Sequence, residues 1–294
     1  MSFEVVGQVR AHLGESPRWD AARQRLVWVD LWGNAIHSTD PSTGATTTIE
    51  THEPATSVVP TRWGLLATIG ERLYAVDERD LLPISEALAR PGGRCNDSGV
   101  DPRGRVVVGT MAWTAADPGD GDLWSVDPRS GRRLLVGDVG LANGVAWSGD
   151  GSTLWLVDTH ARTLTAYPYD LESGTVGAAT LVIEVPERDG VPDGIAVDAD
   201  DHVWVCLHGA GVVRRYRPDG TVVGDLEVPV PGVTACTFGG PGLDQLFVTT
   251  GRGPRVGADE VDLLTGRVFV AQVGTRGRLV ATADWPAPSV RSTP

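Results

Sequence analysis

Short apolar runs separated by polar or glycine-rich turns recur along the whole chain. A run of about four residues leads into a turn, and a second run rich in Val, Leu and Trp follows, as in "NGVAWSGDGSTLWLVDT". Short apolar runs bounded by turn residues predict β-hairpins. Clear copies of the pattern start at Glu15, Asn96, Asn143 and Asp193, and weaker copies start near Ser57 and Thr234.

The six copies start between 39 and 50 residues apart, and a second hairpin follows most of them. Four strands per unit at that period are typical of a β-propeller blade. The most helix-like stretch, "ISEALAR" at 84–90, is interpreted as a loop or a single turn. We therefore predict an all-β fold, a single six-bladed β-propeller domain over residues 1–294. The N-terminal "FEVVGQV" is expected to close the ring by joining "GRVFVAQV" in the last blade.

Composition and charge narrow the classes of function. The net charge is −13, and all 25 basic residues are Arg. The absence of Lys excludes Schiff-base chemistry and P-loop phosphate binding, and an acidic chain is a poor partner for nucleic acid. No apolar run approaches the ~20 residues that a membrane-spanning helix needs.

Cysteine usage and the N-terminal sequence indicate a compartment. The three cysteines show no CxxC spacing, so neither a disulfide framework nor a zinc ribbon is expected. The start "MSFEVVGQVR" lacks the basic and apolar regions of a signal peptide. These features favour a cytoplasmic location.

A polar residue stands at the start of the first strand in each clear copy. The first strand of a propeller blade lines the central channel, so residues in the same phase of the repeat converge around one axis. Five positions before the turn residues Asp20, Asp101, Ser148 and Asp198 stand Glu15, Asn96, Asn143 and Asp193. Thr234 and, roughly, Thr56 take this place in the weaker copies. The sequence therefore predicts a ring of side-chain oxygens at one mouth of the channel.

This ring has two interpretations. Two carboxylates and two amides that point at a common centre repel one another and lose hydration, unless a cation joins them. Hard oxygen donors suit Ca²⁺, Mg²⁺ or Mn²⁺. The alternative is that the ring residues only cap turns, which is the role expected for Asp20, Asp101 and Asp198.

Residues beside the ring suggest a ligand. Alternation along the strand puts Arg94 on the same face as Asn96, where it would offer donors to an anionic or hydroxyl-rich ligand unless an acidic loop holds it. Cys95 points away and is expected to pack in the core. Trp113 is a candidate pocket wall and His208 a candidate border, whereas the strand tryptophans are expected to pack between blades: Trp28, Trp124, Trp155 and Trp204.

The segments "GESPRW", "RCNDSGVDPRGRVVVGTM", "NGVAWSGDGSTLWLVDT" and "PDGIAVDADDHVWV" together resemble the regucalcin, or senescence-marker-protein, family, which includes the gluconolactonases. The resemblance covers essentially the whole chain. It implies one divalent cation held by Glu15, Asn143 and Asp193, and it assigns Arg94 and Asn96 to substrate binding. A further acidic substrate contact falls near Asp117, with Asp120 as its rival.

The resemblance implies a metal-dependent hydrolase whose partner is a small sugar lactone. Its cofactor is expected to be Ca²⁺, with Zn²⁺, Mn²⁺ and Fe²⁺ left open. The cation would polarise the lactone carbonyl, and Asp193 would be the general base that activates water. Two alternatives use the same residues: another metal-dependent esterase or phosphotriesterase, and a calcium-binding propeller that is not an enzyme.

Overall fold

The computed structural model describes residues 2–77, 80–113, 119–252 and 263–288. Nearly all of its regular structure is β-strand, and the strands form six small antiparallel sheets. The inner strands of neighbouring sheets contact one another in a closed ring. The predicted all-β, six-bladed β-propeller is therefore confirmed.

Each sheet is one blade, and in the first five blades the strands follow one another in chain order from the channel outward. A short N-terminal strand, β1 (Glu4–Val6), precedes the first blade in the chain. The strands of the first three blades are β2 (Gly14–Asp20), β3 (Arg25–Asp30), β4 (Ala35–Thr39) and β5 (Thr46–Glu50); β6 (Ala55–Pro60), β7 (Leu65–Ile69), β8 (Arg72–Asp77) and β9 (Asp80–Pro83); β10 (Gly93–Val100), β11 (Val106–Ala112), β12 (Gly121–Asp127) and β13 (Gly131–Val139).

The second half of the chain repeats this order, and its fourth blade carries an additional outer strand. A 3-10 turn, Glu187–Asp189, precedes the fifth blade. The strands are β14 (Ala142–Trp147), β15 (Thr153–Asp158), β16 (Thr163–Asp170), β17 (Thr175–Val176) and β18 (Leu181–Glu184); β19 (Val191–Val197), β20 (Val203–His208), β21 (Val212–Tyr216) and β22 (Val222–Glu227); β23 (Val233–Gly239), β24 (Gln245–Thr250) and β25 (Val268–Gln272).

The sixth blade takes its outermost strand from the N-terminus. Strand β1 pairs antiparallel with β25, with Glu4 opposite Val270 and Val6 opposite Val268. One sheet thus joins segments from both halves of the chain, and β1 replaces β25 as the edge strand of this blade.

Apolar side chains fill the gaps between blades. Within the described residues, six buried apolar clusters occur, one at each junction of two neighbouring blades. Trp19 of blade 1 stacks on Phe247 of blade 6, with ring centroids 5.8 Å apart. The predicted packing role is confirmed for the strand tryptophans, of which Trp28, Trp155 and Trp204 are buried and Trp124 is half-buried against a cluster.

The turns between the first and second strands lie on the face opposite the channel mouth. Asp20, Asp101 and Asp198 each accept a backbone N–H with Oδ1, at 3.1, 2.9 and 2.9 Å. Their predicted capping role is therefore confirmed.

A C-terminal segment crosses this far face. Gly277 donates its N–H to the Leu243 carbonyl at 2.7 Å, and Ala283 donates to the Pro60 carbonyl at 2.9 Å. The segment thus runs from blade 6 to blade 2 and covers a cavity of about 240 Å³ at that end of the channel. The C-terminal segment thus covers the end of the channel opposite to the mouth where the inner strands begin.

All three cysteines are free and buried. No helix in the described ranges is long and apolar enough to cross a membrane. The cytoplasmic location and the extent of the single domain stay predictions.

Candidate active site

A β-bulge interrupts every inner strand within one residue of the same position of the repeat. In blades 3, 4 and 5 the register shifts directly after Cys95, Ala142 and Pro192. Blades 2 and 6, which carry the weaker copies of the sequence pattern, shift at the equivalent place. Blade 1 shifts after Glu15, where Ser16 adopts a positive φ of 47°. A bulge redirects the side chains it contains. The bulges contain Asn96, Asn143 and Asp193, whereas Glu15 directly precedes the bulge of blade 1.

Close approach of the inner strands explains one glycine in these bulges. A Cβ on Gly194 would lie 2.3 Å from the Cβ of Ala235 on the next blade. Such a contact is impossible without moving one strand, so the position after Asp193 requires glycine.

Asn143 and Asp193 lie on neighbouring blades and are bonded to each other. The Asn143 Nδ2 donates to Asp193 Oδ1 and, at 3.1 Å, to Thr159 Oγ1. Thr159 in turn donates to the Pro192 carbonyl at 2.9 Å. Because both amide hydrogens of Asn143 are used, its Oδ1 is the atom that remains for a cation.

The two carboxylates of the ring lie in a poorly hydrated, negatively charged environment. Burial raises the pKa of Asp193 to about 8, and repulsion by the nearby Asp97 adds to the effect. The pKa of Glu15 is raised well above its usual range, first by loss of hydration and then by Asp193 and Asp97. Oxygen donors that resist ionisation on their own fit a divalent cation, which would offset this repulsion.

Arg94 and Asn96 form a separate unit beside these three residues. The Arg94 Nη1 donates to Asn96 Oδ1 at 2.8 Å and to the Cys95 carbonyl at 2.9 Å. The Asn96 Nδ2 donates to the Ala142 carbonyl at 3.2 Å. The side-chain oxygen of Asn96 is thus engaged by Arg94, unlike the side-chain oxygen of Asn143.

Two exposed tryptophans continue from Arg94 across the mouth. The Arg94 guanidinium lies over the Trp113 ring, 5.7 Å from its centroid. Trp113 contacts Trp32 with centroids 6.5 Å apart, and the two are 44% and 54% exposed. The sequence indicated Trp113 as a wall, whereas Trp32 comes from the loop after β3 and was not among the expected site residues.

The other residues that the sequence placed in or near the site bond to backbone carbonyls or lie in the core. The threonines of the weak copies turn away from the ring: Thr56 donates to the Asn96 carbonyl and Thr234 to the Gly14 carbonyl. His208 Nδ1 bonds the Val233 carbonyl at 3.0 Å. Cys95 is buried between blades 2 and 3, and burial raises the pKa of its thiol to about 12, which confirms its place in the core.

The predicted acidic contact at Asp117 lies outside the described residues. Its rival, Asp120, is half-buried directly before β12. The choice between these two stays a prediction.

Sequence reasoning missed a buried ion pair close to the ring. Arg18 donates through Nη2 to Asp97 Oδ1 at 3.0 Å, and both side chains are buried. A signal was available, because Asp97 is the one charged residue at the second position of the bulge. The equivalent residues of the other blades are Ser16, Ser57, Gly144, Gly194 and Ala235.

A second group of metal-type ligands occurs on the far face, at Asp198, Asp200 and His202. Asp198 Oδ1 already accepts the backbone N–H groups of Asp200 and His202. Its Oδ2 accepts Trp204 Nε1 and Arg215 Nε, both at 2.9 Å. A carboxylate offers about four acceptor positions, so this group is better explained as a capped turn than as a cation site.

Comparison with known proteins identifies similar sequences and a similar structure. Pentonolactonase XacC of Haloferax volcanii is 36% identical over 285 residues, covering 95% of this chain and 97% of the relative. The 6-deoxy-6-sulfogluconolactonase of Pseudomonas putida is 33% identical over 273 residues, covering 90% and 92%. The structure of a calcium-binding protein, regucalcin, from Agrobacterium tumefaciens has a TM-score of 0.88 at 27% identity, covering 96% and 97%.

Residues 13–252 also match the family model described as the SMP-30/gluconolactonase/LRE-like region. This range contains strands β2 to β24 and all of the ring residues. The chain therefore belongs to the SMP-30/gluconolactonase/LRE-like family.

Proposed function

We propose that this protein is a metal-dependent lactonase that hydrolyses a sugar lactone. The observation that carries the proposal is the set of oxygen donors at the channel mouth. Two carboxylates resist ionisation there, and a buried amide leaves its oxygen available. The names of two relatives, a pentonolactonase and a sulfogluconolactonase, support lactone hydrolysis.

Glu15, Asn143 and Asp193 would hold one divalent cation. The description of the regucalcin relative as a calcium-binding protein supports Ca²⁺, and an oxygen-only donor set suits it. When bound, the cation supplies positive charge that polarises the lactone carbonyl.

Asp193 would be the general base. The Asn143 amide holds Asp193 Oδ1 in place, so Oδ2 is the oxygen that accepts a proton from the attacking water. The water oxygen then bonds to the carbonyl carbon, and the bond from that carbon to the ring oxygen breaks. Asp193 returns the proton to the departing ring oxygen, which yields the open hydroxy acid. Base catalysis of this kind contributes about 10²–10⁴-fold to the rate.

Arg94 and Asn96 would orient the substrate. Arg94 has donors beyond the Nη1 that bonds Asn96 and Cys95, and these can hold sugar hydroxyl groups. Asn96 contributes chiefly by fixing the guanidinium. Orientation of the ester carbon beside the base lowers the entropic part of the barrier.

The test is acid release from pentono-1,4-lactones and hexono-1,5-lactones. Protein treated with chelator is given Ca²⁺, Mn²⁺, Zn²⁺ or Fe²⁺ in turn. We expect turnover that requires a cation and that Glu15→Ala and Asp193→Ala abolish. The matched control, Asp200→Ala, removes a carboxylate of the far-face group and should keep full activity.

Three outcomes would contradict the proposal. Near-full activity of Asp193→Ala at saturating cation would remove the assigned base. Turnover of paraoxon-type esters alone would indicate the esterase or phosphotriesterase alternative. Cation binding without turnover of any lactone or ester would indicate a calcium-binding propeller.

A further inference from the structure

An ion pair crosses the channel beneath the oxygen ring. Arg18 belongs to β2 of blade 1 and Asp97 to the bulge of β10 in blade 3, with the inner strand of blade 2 between them. The guanidinium also donates to the Ser98 carbonyl and, at 2.9 Å, to the Pro17 carbonyl. Only 8% of Arg18 and 6% of Asp97 is exposed. The pair therefore links two blades that are not neighbours.

One member of the pair, Asp97, acts electrostatically on both carboxylates of the ring. Asp97 directly follows Asn96, and its charge acts on Asp193 and on Glu15. Arg18 also lines the cavity beneath the C-terminal segment, so the pair lies between the ring and the far end of the channel. Charges in such a poorly hydrated space act on one another more strongly than charges at the surface.

Stability alone does not explain the pair. Removing two charges from water costs about as much as their attraction returns, and apolar replacements of buried pairs are often neutral or stabilising. The other five blades use Ser, Gly or Ala at the position of Asp97. The propeller thus folds around small neutral residues there, and the charge of Asp97 calls for another role.

We propose that the Arg18–Asp97 pair sets the cation affinity of the channel mouth by adjusting its charge. The inference rests on the proposed function, since it requires that Glu15, Asn143 and Asp193 hold a divalent cation. Asp97 adds a third negative charge beneath the site, and Arg18 cancels part of it. Both are positioning residues, because neither is placed to contact the substrate.

The two members of the pair should have opposite effects. Asp97→Asn keeps an acceptor for Arg18 but removes a negative charge, so the cation should bind more weakly. Arg18→Met removes a positive charge, so the cation should bind more tightly. Loss of one unit charge near the site predicts a change of roughly tenfold in Kd in each direction. The double variant should return close to the wild-type Kd.

Calorimetric titration of chelator-treated protein with Ca²⁺, and separately with Mn²⁺, measures these constants at fixed pH and ionic strength. Arg18→Gln retains side-chain donors without the charge, and it should tighten binding as Arg18→Met does even if the latter folds poorly. Arg103→Met, an exposed arginine on the far face paired with Glu172, changes the net charge equally and should leave Kd unchanged.

The outcomes separate the two proposals. If the wild-type protein binds neither cation, the proposed function and this inference both fail. If the wild type binds but Asp97→Asn and the Arg18 variants shift Kd in the same direction, or not at all, the pair is merely structural and only this inference fails. Opposite shifts, with the double variant near the wild type, would support it.

Discussion

At the scale of the single residue, the surroundings of Asp193 determine the protonation of its carboxyl group. Burial and the neighbouring Asp97 favour its neutral form, whereas the bonds from the Asn143 amide and the Gly194 backbone favour its ionised form. The result is a carboxyl with a pKa of about 8 in the cation-free protein. A cation at the ring would reverse this balance, because it favours ionised ligands.

The raised pKa predicts an unusual dependence of stability on pH. The ordinary pKa of Asp193, 3.8, applies in the unfolded chain, and the folded value is about 8. Between these values the folded protein binds more protons than the unfolded chain, so the free energy of unfolding falls as pH rises from about 4 to about 8. Urea unfolding of chelator-treated protein at pH 5, 7 and 9 measures the slope.

Two controls accompany the pH measurement. Asp193→Asn should flatten the slope, since the residue can no longer ionise. Saturating Ca²⁺ should raise stability most at pH 9, where the ligands are ionised. A cation-free protein that becomes more stable from pH 5 to pH 9 would contradict the prediction.

At the scale of the secondary-structure element, the β-bulge of each inner strand lies at or next to the predicted site residue. Successive side chains of each inner strand point alternately toward the two neighbouring blades. The bulge interrupts this alternation close to the residues with side-chain oxygens. Gly194 shows how tightly this element is constrained, because the next blade leaves no room for a Cβ.

Gly194→Ala tests the constraint. The new methyl group would force β19 and β23 apart, and overpacking of this kind costs about 1–3 kcal/mol. We also expect weaker cation binding, because Asp193 moves with its strand. Urea unfolding measures the first effect, with Gly224→Ala on an open outer strand as the matched control. Equal stability of the two variants would show that the strands yield freely.

The loops at the channel mouth provide an aromatic wall made of Trp113 and Trp32. The aromatic wall continues from Arg94, so it would contact the part of the substrate that lies away from the cation. Removing Trp113 should raise KM while kcat at saturating substrate is nearly kept, because the wall binds ground state and transition state alike.

Steady-state kinetics of Trp113→Ala should show a rise in KM of roughly three- to tenfold, the equivalent of about 1 kcal/mol of aromatic and cation–π contact. Leu279→Ala, which removes an exposed apolar side chain from the far face, is the control and should leave both constants unchanged. A fall in kcat with constant KM would place Trp113 in the catalytic step instead.

At the scale of the whole molecule, the closed ring keeps the site together. The donors come from blades 1, 4 and 5: blades 4 and 5 are neighbours in the ring, and blade 6 lies between blades 5 and 1. Strand β1 completes blade 6, which lies between blade 5 and blade 1. Loosening that junction would change the distance from Glu15 to Asp193 without touching either residue.

Deletion of residues 2–6 tests this closure. The change exposes the edge of β25 and the pocket that buries Val6, whose side chain alone contributes about 1.5–3 kcal/mol. We expect a lower unfolding midpoint and weaker cation binding. Val5→Thr, at a partly exposed position of the same strand, keeps the backbone pairing and should behave like the wild type. An unchanged midpoint would show that the ring closes without β1.

The sequence by itself determined the repeating architecture. A pattern of apolar and polar residues is local, and its period reports four strands per unit wherever it recurs. Six copies were enough to predict the number of blades, the capping role of the turn aspartates and the oxygen side chains that share one phase. The same locality revealed that Cys95 points away from the channel.

Only the tertiary structure decided how these side chains meet. Arg18 and Asp97 are 79 residues apart, and nothing local to either predicts that they pair across the channel. The approach of Trp32 to Trp113 likewise depends on how loops of two blades converge at the mouth. The Asn96 amide is taken up by Arg94, while the similar Asn143 amide leaves its oxygen available. The physical reason is that strand periodicity is set by neighbours in the chain, whereas contacts around an axis are set by the curvature of the closed ring.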